Sequence, residues 1–300
     1  MRLISVRAAS GSTLGVQAGE RWLPADELAP TGPRTIAELI AGGPAALDAL
    51  RAAADDAQIR GSGRPVAEAE LLAPVPRPGK VVAIGRNYRD HTTEEGVDPP
   101  ATPLIFSKWP SSVVGPGTEI RWDPALTAQV DYEAELAVVI GRTARRVGEA
   151  DALDHVLGYT CLNDVSARDL QFGDGQWTRG KSLDTFCPMG PSLVTADEIG
   201  DPQALDIECL VNDQVMQRAN TADMYFGVAA IISHCSWAFT LEPGDVIATG
   251  TPGGVGIFRN PPVLLADGDV VTVAIEGIGR LQNTCRFDRV AVGSAPGAAS

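Results

Sequence analysis

Glu133 and Glu135 stand two residues apart in Asp131-Tyr-Glu-Ala-Glu-Leu-Ala-Val-Val-Ile140, and Asp164 follows in Leu162-Asn-Asp-Val-Ser166. The run Leu136 to Ile140 is apolar and partly β-branched, which predicts a strand. Side chains alternate faces along a strand, so the two glutamates point the same way, with ~7 Å between their Cα atoms. Two like charges beside an apolar run repel unless a positive group lies between them. A hard divalent cation fits that place, with Asp164 as a third oxygen ligand. Three carboxylates leave ion positions free for water and substrate, the arrangement of a catalytic metal.

Other residues could join such a site. His91 lies in Gly85-Arg-Asn-Tyr-Arg-Asp-His-Thr-Thr-Glu-Glu-Gly96, just after an apolar run. The spacing His91-x-x-Glu94 puts both side chains on one face of a helical turn. A carboxylate beside an imidazole fixes its tautomer and raises its basicity, as a general base requires. A solvated loop histidine in a charged stretch is the competing reading. His155 and His234, the other two histidines, sit in apolar surroundings that suit structural roles. Lys181 is either a solvated loop lysine or a group stabilising an oxyanion near the metal.

Lys181 also belongs to Gly175-Gln-Trp-Thr-Arg-Gly-Lys-Ser182, which satisfies the phosphate-loop pattern. Its context does not. No apolar strand precedes it, and Pro188 and Pro191 stop any long helix after it. A second glycine-rich run, Thr249-Gly-Thr-Pro-Gly-Gly-Val-Gly256, follows a strand. It reads as a tight turn, or as backbone N–H groups that with Thr251 grasp an anionic substrate.

The elements around these residues are mainly strands. Val81–Ile84, Leu104–Phe106, Glu135–Ile140, Gly158–Asn163, Ile207–Val211, Asp245–Ala248 and Val270–Ile275 carry the pattern. Ala150–His155 and Phe226–Trp237 read as helices. Strands do not alternate with long helices, which argues against a Rossmann sheet or a TIM barrel. Residues 1–72 form a small N-terminal unit, with strands at Leu3–Val6 and Leu14–Gln17 and helices at Thr35–Ile40 and Pro44–Ala54. Gly61–Pro65 reads as a flexible break and Pro74–Gly79 as a stiffer one. Residues 73–300 form the main domain, and the tail from Gly293 to Ser300 reads as frayed.

The 300 residues are 44% hydrophobic, enough for a sizeable core, and carry 24 basic against 38 acidic side chains, a net charge of −14. That balance argues against nucleic acid and against an anionic membrane surface as partners. No segment reaches the ~20 apolar residues of a membrane-spanning helix, and the N-terminus lacks a signal-peptide core. A cytoplasmic location is expected. The five cysteines are widely spaced and include no C-x-x-C, so they read as buried thiols.

Together these segments resemble the fumarylacetoacetate hydrolase superfamily, specifically its bacterial branch of 2-keto-4-pentenoate hydratases, hydroxymuconate isomerases and acylpyruvases. The resemblance runs from about Lys80 to Cys285. Its markers are Gly85-Arg-Asn-Tyr88, Asp131–Glu135, Asn163-Asp-Val-Ser-Ala-Arg-Asp-Leu-Gln171, Arg179–Ser182, Gly244–Gly256 and Gly268-Asp269. It implies an α+β, mainly β fold: a mixed β-sandwich roll with a small N-terminal α/β subdomain. It implies a homodimer with one Mg²⁺ or Mn²⁺ per subunit on Glu133, Glu135 and Asp164. His91, Glu94 and Lys181 match the family's catalytic positions, with the dyad on a short lid. Gln171 and Thr251 match substrate contacts, and Arg86 and Tyr88 lie where they could hold a substrate carboxylate. Fumarylacetoacetate hydrolase itself has a further acidic ligand on the strand before the dyad. Here Val81–Gly85 is apolar, which weighs against fumarylacetoacetate as substrate. The expected activity is metal-dependent hydrolysis of a carbon–carbon bond in a 2,4-diketo acid. The alternative is oxaloacetate decarboxylation, or isomerisation or hydration of 5-carboxymethyl-2-hydroxymuconate-type intermediates of aromatic catabolism.

Overall fold

Ala134–Ile140 is a strand with every residue buried. Its even-numbered side chains (Ala134, Leu136, Val138, Ile140) enter one apolar core, while Ala137 and Val139 enter another. A strand covered on both faces must lie between two layers. The computed structural model, which describes residues 1–9 and 11–288, shows those layers. The tail expected to fray lies outside the described residues.

Ala134–Ile140 belongs to a twelve-stranded sheet. Val156–Asn163 and Val246–Ala248 flank it, both antiparallel. Val246–Ala248 pairs in parallel with Val81–Gly85, which pairs antiparallel with Leu104–Lys108. On the even-residue side lies a five-stranded sheet of Gln214–Asn220, Asp206–Val211, Val270–Ile275, Gly279–Phe287 and Ile120–Trp122. Ile207, Cys209, Val273 and Leu281 share the core with Leu136 and Val138. The fold is thus α+β and mainly β, with two sheets packed face to face as expected.

The first 72 residues cover the other face. Arg2–Ala8 joins the large sheet at the edge of Cys187–Thr195 through Arg2–Val194 and Leu3–Leu193. The helical stretch Ile36–Ala53 turns at Gly43 (φ 62°), which separates the two expected helices. Its Leu39 and Leu50 share a core with Val81, Ala83 and Val139.

Several sequence expectations need correction. Gly61–Pro65 is not a free break: the helix Asp56–Ser62 runs into it, and Arg64–Pro65 pairs with Arg21–Trp22. Glu149–His155 is a 3₁₀ helix. The strand Cys187–Thr195 escaped notice because Pro188, Gly190 and Pro191 break its pattern. Gln214–Asn220 and Gly279–Phe287 are also strands, disguised by their polar residues. Among the described residues no helix is long and apolar enough to cross a membrane.

Candidate active site

Glu135 lies on the buried strand and Glu133 immediately before it. Asp164 follows the neighbouring strand Val156–Asn163, and the pairing of Ala134 with Asn163 brings the two chain segments level. Two further bonds fix the junction: Asp164 N–H donates to Glu133 O (2.9 Å), and Glu133 N–H donates to Asn163 Oδ1 (3.0 Å). Oxygens of Glu133, Glu135 and Asp164 therefore converge to within 4.8 Å of one another, all three residues buried.

Buried carboxylates require compensation. Lys181 Nζ donates to Glu133 Oε2 (2.7 Å) and Asp164 Oδ2 (2.9 Å). The fully buried Lys108 donates to Asp164 Oδ1 (2.5 Å), to Val165 O (3.2 Å) and to Lys181 O. Arg168 pairs through Nη1 with Glu133 (2.7 Å) and through Nε with Asp131 (2.9 Å). Four acids (Asp131, Glu133, Glu135, Asp164) thus face three bases (Lys108, Arg168, Lys181), a formal charge of 3 − 4 = −1.

The deficit falls on Glu135, which among the described residues has no cationic hydrogen-bond partner and accepts only the Gly250 N–H (2.8 Å). Burial, then the charges of Asp164 and Glu133, push its carboxyl well above the usual carboxylate range. Burial also disfavours the Glu133 anion, but Lys181 and Arg168 outweigh it and hold this carboxyl near about 2. Burial alone would lower the Lys181 ammonium; Asp164 and Glu133 reverse the direction and raise it. A hard divalent cation among three carboxylate oxygens would supply the charge that Glu135 lacks, so the donor set fits Mg²⁺ or Mn²⁺.

The dyad faces the same space. His91 and Glu94 lie on the helix Arg89–Glu95. His91 Nδ1 bonds Glu94 Oε1 (2.8 Å), and Glu94 Oε2 accepts the Gly254 N–H (2.7 Å). His91 is 7% exposed, so the solvated-loop reading falls. With Nδ1 committed to a carboxylate, Nε2 is the nitrogen left for chemistry.

The second glycine-rich run is held by carboxylates at three points. Gly250 N–H donates to Glu135, Gly254 N–H to Glu94, and the Gly256 and Ile257 N–H groups to Asp131 (2.8 and 3.0 Å). Gly250 has φ 102°, and a Cβ there would meet Asn87 Cβ at 2.7 Å, so only glycine suits. Gln217 braces the same loop from below, donating to Thr251 Oγ1 and Pro252 O (both 2.8 Å).

These groups surround a small, partly open cavity of about 20 Å³, lined by Arg86, His91, Glu133, Gln171, Lys181 and Thr251 among others. Tyr88 is not on its wall. Its hydroxyl is buried without a partner among the described residues, and burial followed by the Glu135 charge raises its pKa. Arg86 lines the cavity but is already engaged by Glu95. A larger cavity of about 720 Å³ lies beside the helix starting at Ile36 and contains none of the acidic residues.

The phosphate-loop pattern has the wrong frame: the helix Arg168–Asp174 precedes it, and Lys181 points into the acids. The sequence reading missed Lys108 and Arg168. Lys108 was detectable as a charged residue on the inward face shared with Phe106 in Leu104–Lys108. Arg168 stands three residues before Gln171 and bonds it (Nη1 to Oε1, 3.0 Å).

The geometry agrees with comparisons to known proteins. Residues 80–286 match the family model described as fumarylacetoacetate (FAA) hydrolase C-terminal. The chain is 45% identical over 290 residues to the mitochondrial oxaloacetate tautomerase FAHD2A of Bos taurus, covering 94% of this chain and 91% of that protein. The fumarylacetoacetate hydrolase structure from Exiguobacterium antarcticum is 39% identical, with TM-score 0.83 over 96% of this chain and 100% of that one. The maleylpyruvate hydrolase of Sphingobium sp. SYK-6, solved with manganese(II) and pyruvate, is 34% identical with TM-score 0.77 over 96% and 100%.

Proposed function

From the premise that this chain belongs to the fumarylacetoacetate hydrolase family, we propose that it is a divalent-metal enzyme interconverting the keto and enol forms of a small 2-keto diacid such as oxaloacetate. The single observation that carries the chemistry is the buried acid cluster whose Glu135 lacks a cation, opposite the His91–Glu94 pair. The oxaloacetate tautomerase relative, alike over nearly the whole chain, favours this outcome over carbon–carbon hydrolysis, the main expectation from sequence.

Glu133, Glu135 and Asp164 would hold one Mg²⁺ or Mn²⁺ per subunit; the manganese in the maleylpyruvate hydrolase structure supports that class of ion. Such an ion supplies Lewis-acid stabilisation to an enolate oxygen. Arg168 lines the cavity and has a buried Nη2 without a partner among the described residues, a donor for the same developing charge. Gln171 and Thr251 position the substrate beside it. His91 Nε2 takes the proton from C3 of the keto acid, breaking the C–H bond. The electron pair moves into a C2–C3 double bond, the C2 oxygen takes a proton from solvent to give the enol, and His91 Nε2 returns its proton to solvent. Glu94 keeps the imidazole in the tautomer that can accept. Lys181 holds Glu133 and Asp164 in register.

Hydrolysis is the second reading, supported by the two hydrolase structures above. There His91 would take its proton from water, and the water would attack a distal carbonyl. One assay separates the outcomes: ultraviolet decay of enol-oxaloacetate followed together with pyruvate release. Faster decay without pyruvate supports tautomerisation. Pyruvate release from oxaloacetate indicates decarboxylation, and activity confined to acylpyruvates indicates hydrolysis. We further propose a homodimer; light scattering that gives a monomer mass would contradict it.

A further inference from the structure

The helix carrying the dyad ends on another carboxylate, Glu95, which the chemistry above does not use. Glu95 lines the cavity and its side chain is only 15% exposed. Both its oxygens engage Arg86: Nε donates to Oε2 at 2.8 Å and Nη2 donates to Oε1. The Arg86 guanidinium lies 5.6 Å over the Trp177 ring, another part of the wall. Arg86 holds φ 55°, a left-handed conformation uncommon for a side chain of its size. Backbone, stacking and ion pair together therefore aim the fork at the cavity. The space left, about 20 Å³, has room for about one ordered water, which needs ~10–15 Å³. It is too small for a whole diacid beside the closed Arg86–Glu95 pair.

We infer that Arg86 receives the distal carboxylate of a 2-keto diacid and that Glu95 occupies its fork in the free enzyme. Glu95 is thus an internal competitor that sets the preference between one-carboxylate and two-carboxylate 2-keto acids. This rests on the 2-keto acid reading above. A planar guanidinium fork binds one carboxylate in bidentate fashion. A diacid must therefore displace Glu95, the last residue of the helix before its αL cap at Gly96. A monoacid leaves the pair closed. Glu95 also neutralises Arg86, so an anion approaching the closed site meets no free positive charge there.

Calorimetric titration of the Mn²⁺-loaded protein with pyruvate and with difluorooxaloacetate tests this. Glu95→Gln keeps the shape of the side chain and removes its charge. It should tighten the diacid about tenfold relative to pyruvate, the scale of one charge-assisted pair. Arg86→Gln should weaken the diacid relative to pyruvate by a similar factor. A diacid-to-pyruvate affinity ratio unchanged in either variant overturns the gate while leaving the 2-keto acid reading intact. Failure of wild-type protein to bind either acid overturns both.

Discussion

Replacing Lys108 with Met tests whether the acid cluster is held by its buried cations. The Lys108 ammonium lies 2.5 Å from Asp164 Oδ1, with both side chains fully buried. It also satisfies the carbonyls of Val165 and Lys181. Methionine fills similar volume without charge, so packing changes little. What changes is compensation: the cluster falls from a formal −1 to −2, Asp164 keeps only Lys181, and two buried carbonyls lose a donor. Removing one partner of a buried pair costs about 3–5 kcal/mol. Urea denaturation of metal-free wild type and Lys108→Met should show that loss as a lowered midpoint at similar slope. A divalent ion should then restore more stability to the variant than to wild type, since it supplies the missing charge. A variant within about 1 kcal/mol of wild type, indifferent to metal, would refute the charge accounting and place Lys108 among ordinary surface-like ion pairs.

Other consequences follow from the same contacts. Gln217→Leu removes the donors to Thr251 and Pro252 and the acceptor for Ala134 N–H, costing about 2–3 kcal/mol; thermal unfolding should register it, and KM should rise more than kcat falls. Burial pushes the Cys161 and Cys187 thiols up to about 12, so at about pH 8 they stay protonated. Alkylation should label neither in the native protein and all five cysteines after denaturation. Deleting residues 1–72 uncovers Val81, Ala83 and Val139; the fragment 73–300 should be recovered insoluble, and a soluble, active fragment would show that the two parts are separable.

Local chemistry carried much of this into the sequence. The strand at Ala134–Ile140 was legible because its apolar run is unbroken, and Glu133 and Glu135 were legible because alternation puts them on one face. The His91–Glu94 pair was visible from its spacing, yet only burial and the 2.8 Å bond separate it from a solvated loop. Lys108 and Arg168 were harder, since their partners lie 56 and 37 residues away in sequence. Nothing local says that a lysine ending an apolar strand meets Asp164. Cys187–Thr195 hid for a related reason: its prolines and glycine deny it a strand signature, and its pairing with Val156–Asn163 and Arg2–Ala8 is decided by tertiary contact. Tyr88 shows the converse limit. Its place in the Gly85–Tyr88 segment suggested a substrate contact, but the left-handed backbone at Arg86 ends the strand's alternation, and the phenol is buried where it feels the Glu135 charge.

The most direct test of the central claim is nuclear magnetic resonance detection of hydrogen–deuterium exchange at C3 of a 2-keto acid in D₂O. The metal-loaded enzyme should exchange that hydrogen far faster than buffer with the same ion, and Glu135→Gln and His91→Ala should each return it to the buffer rate. Exchange that persists undiminished in both variants would contradict the account.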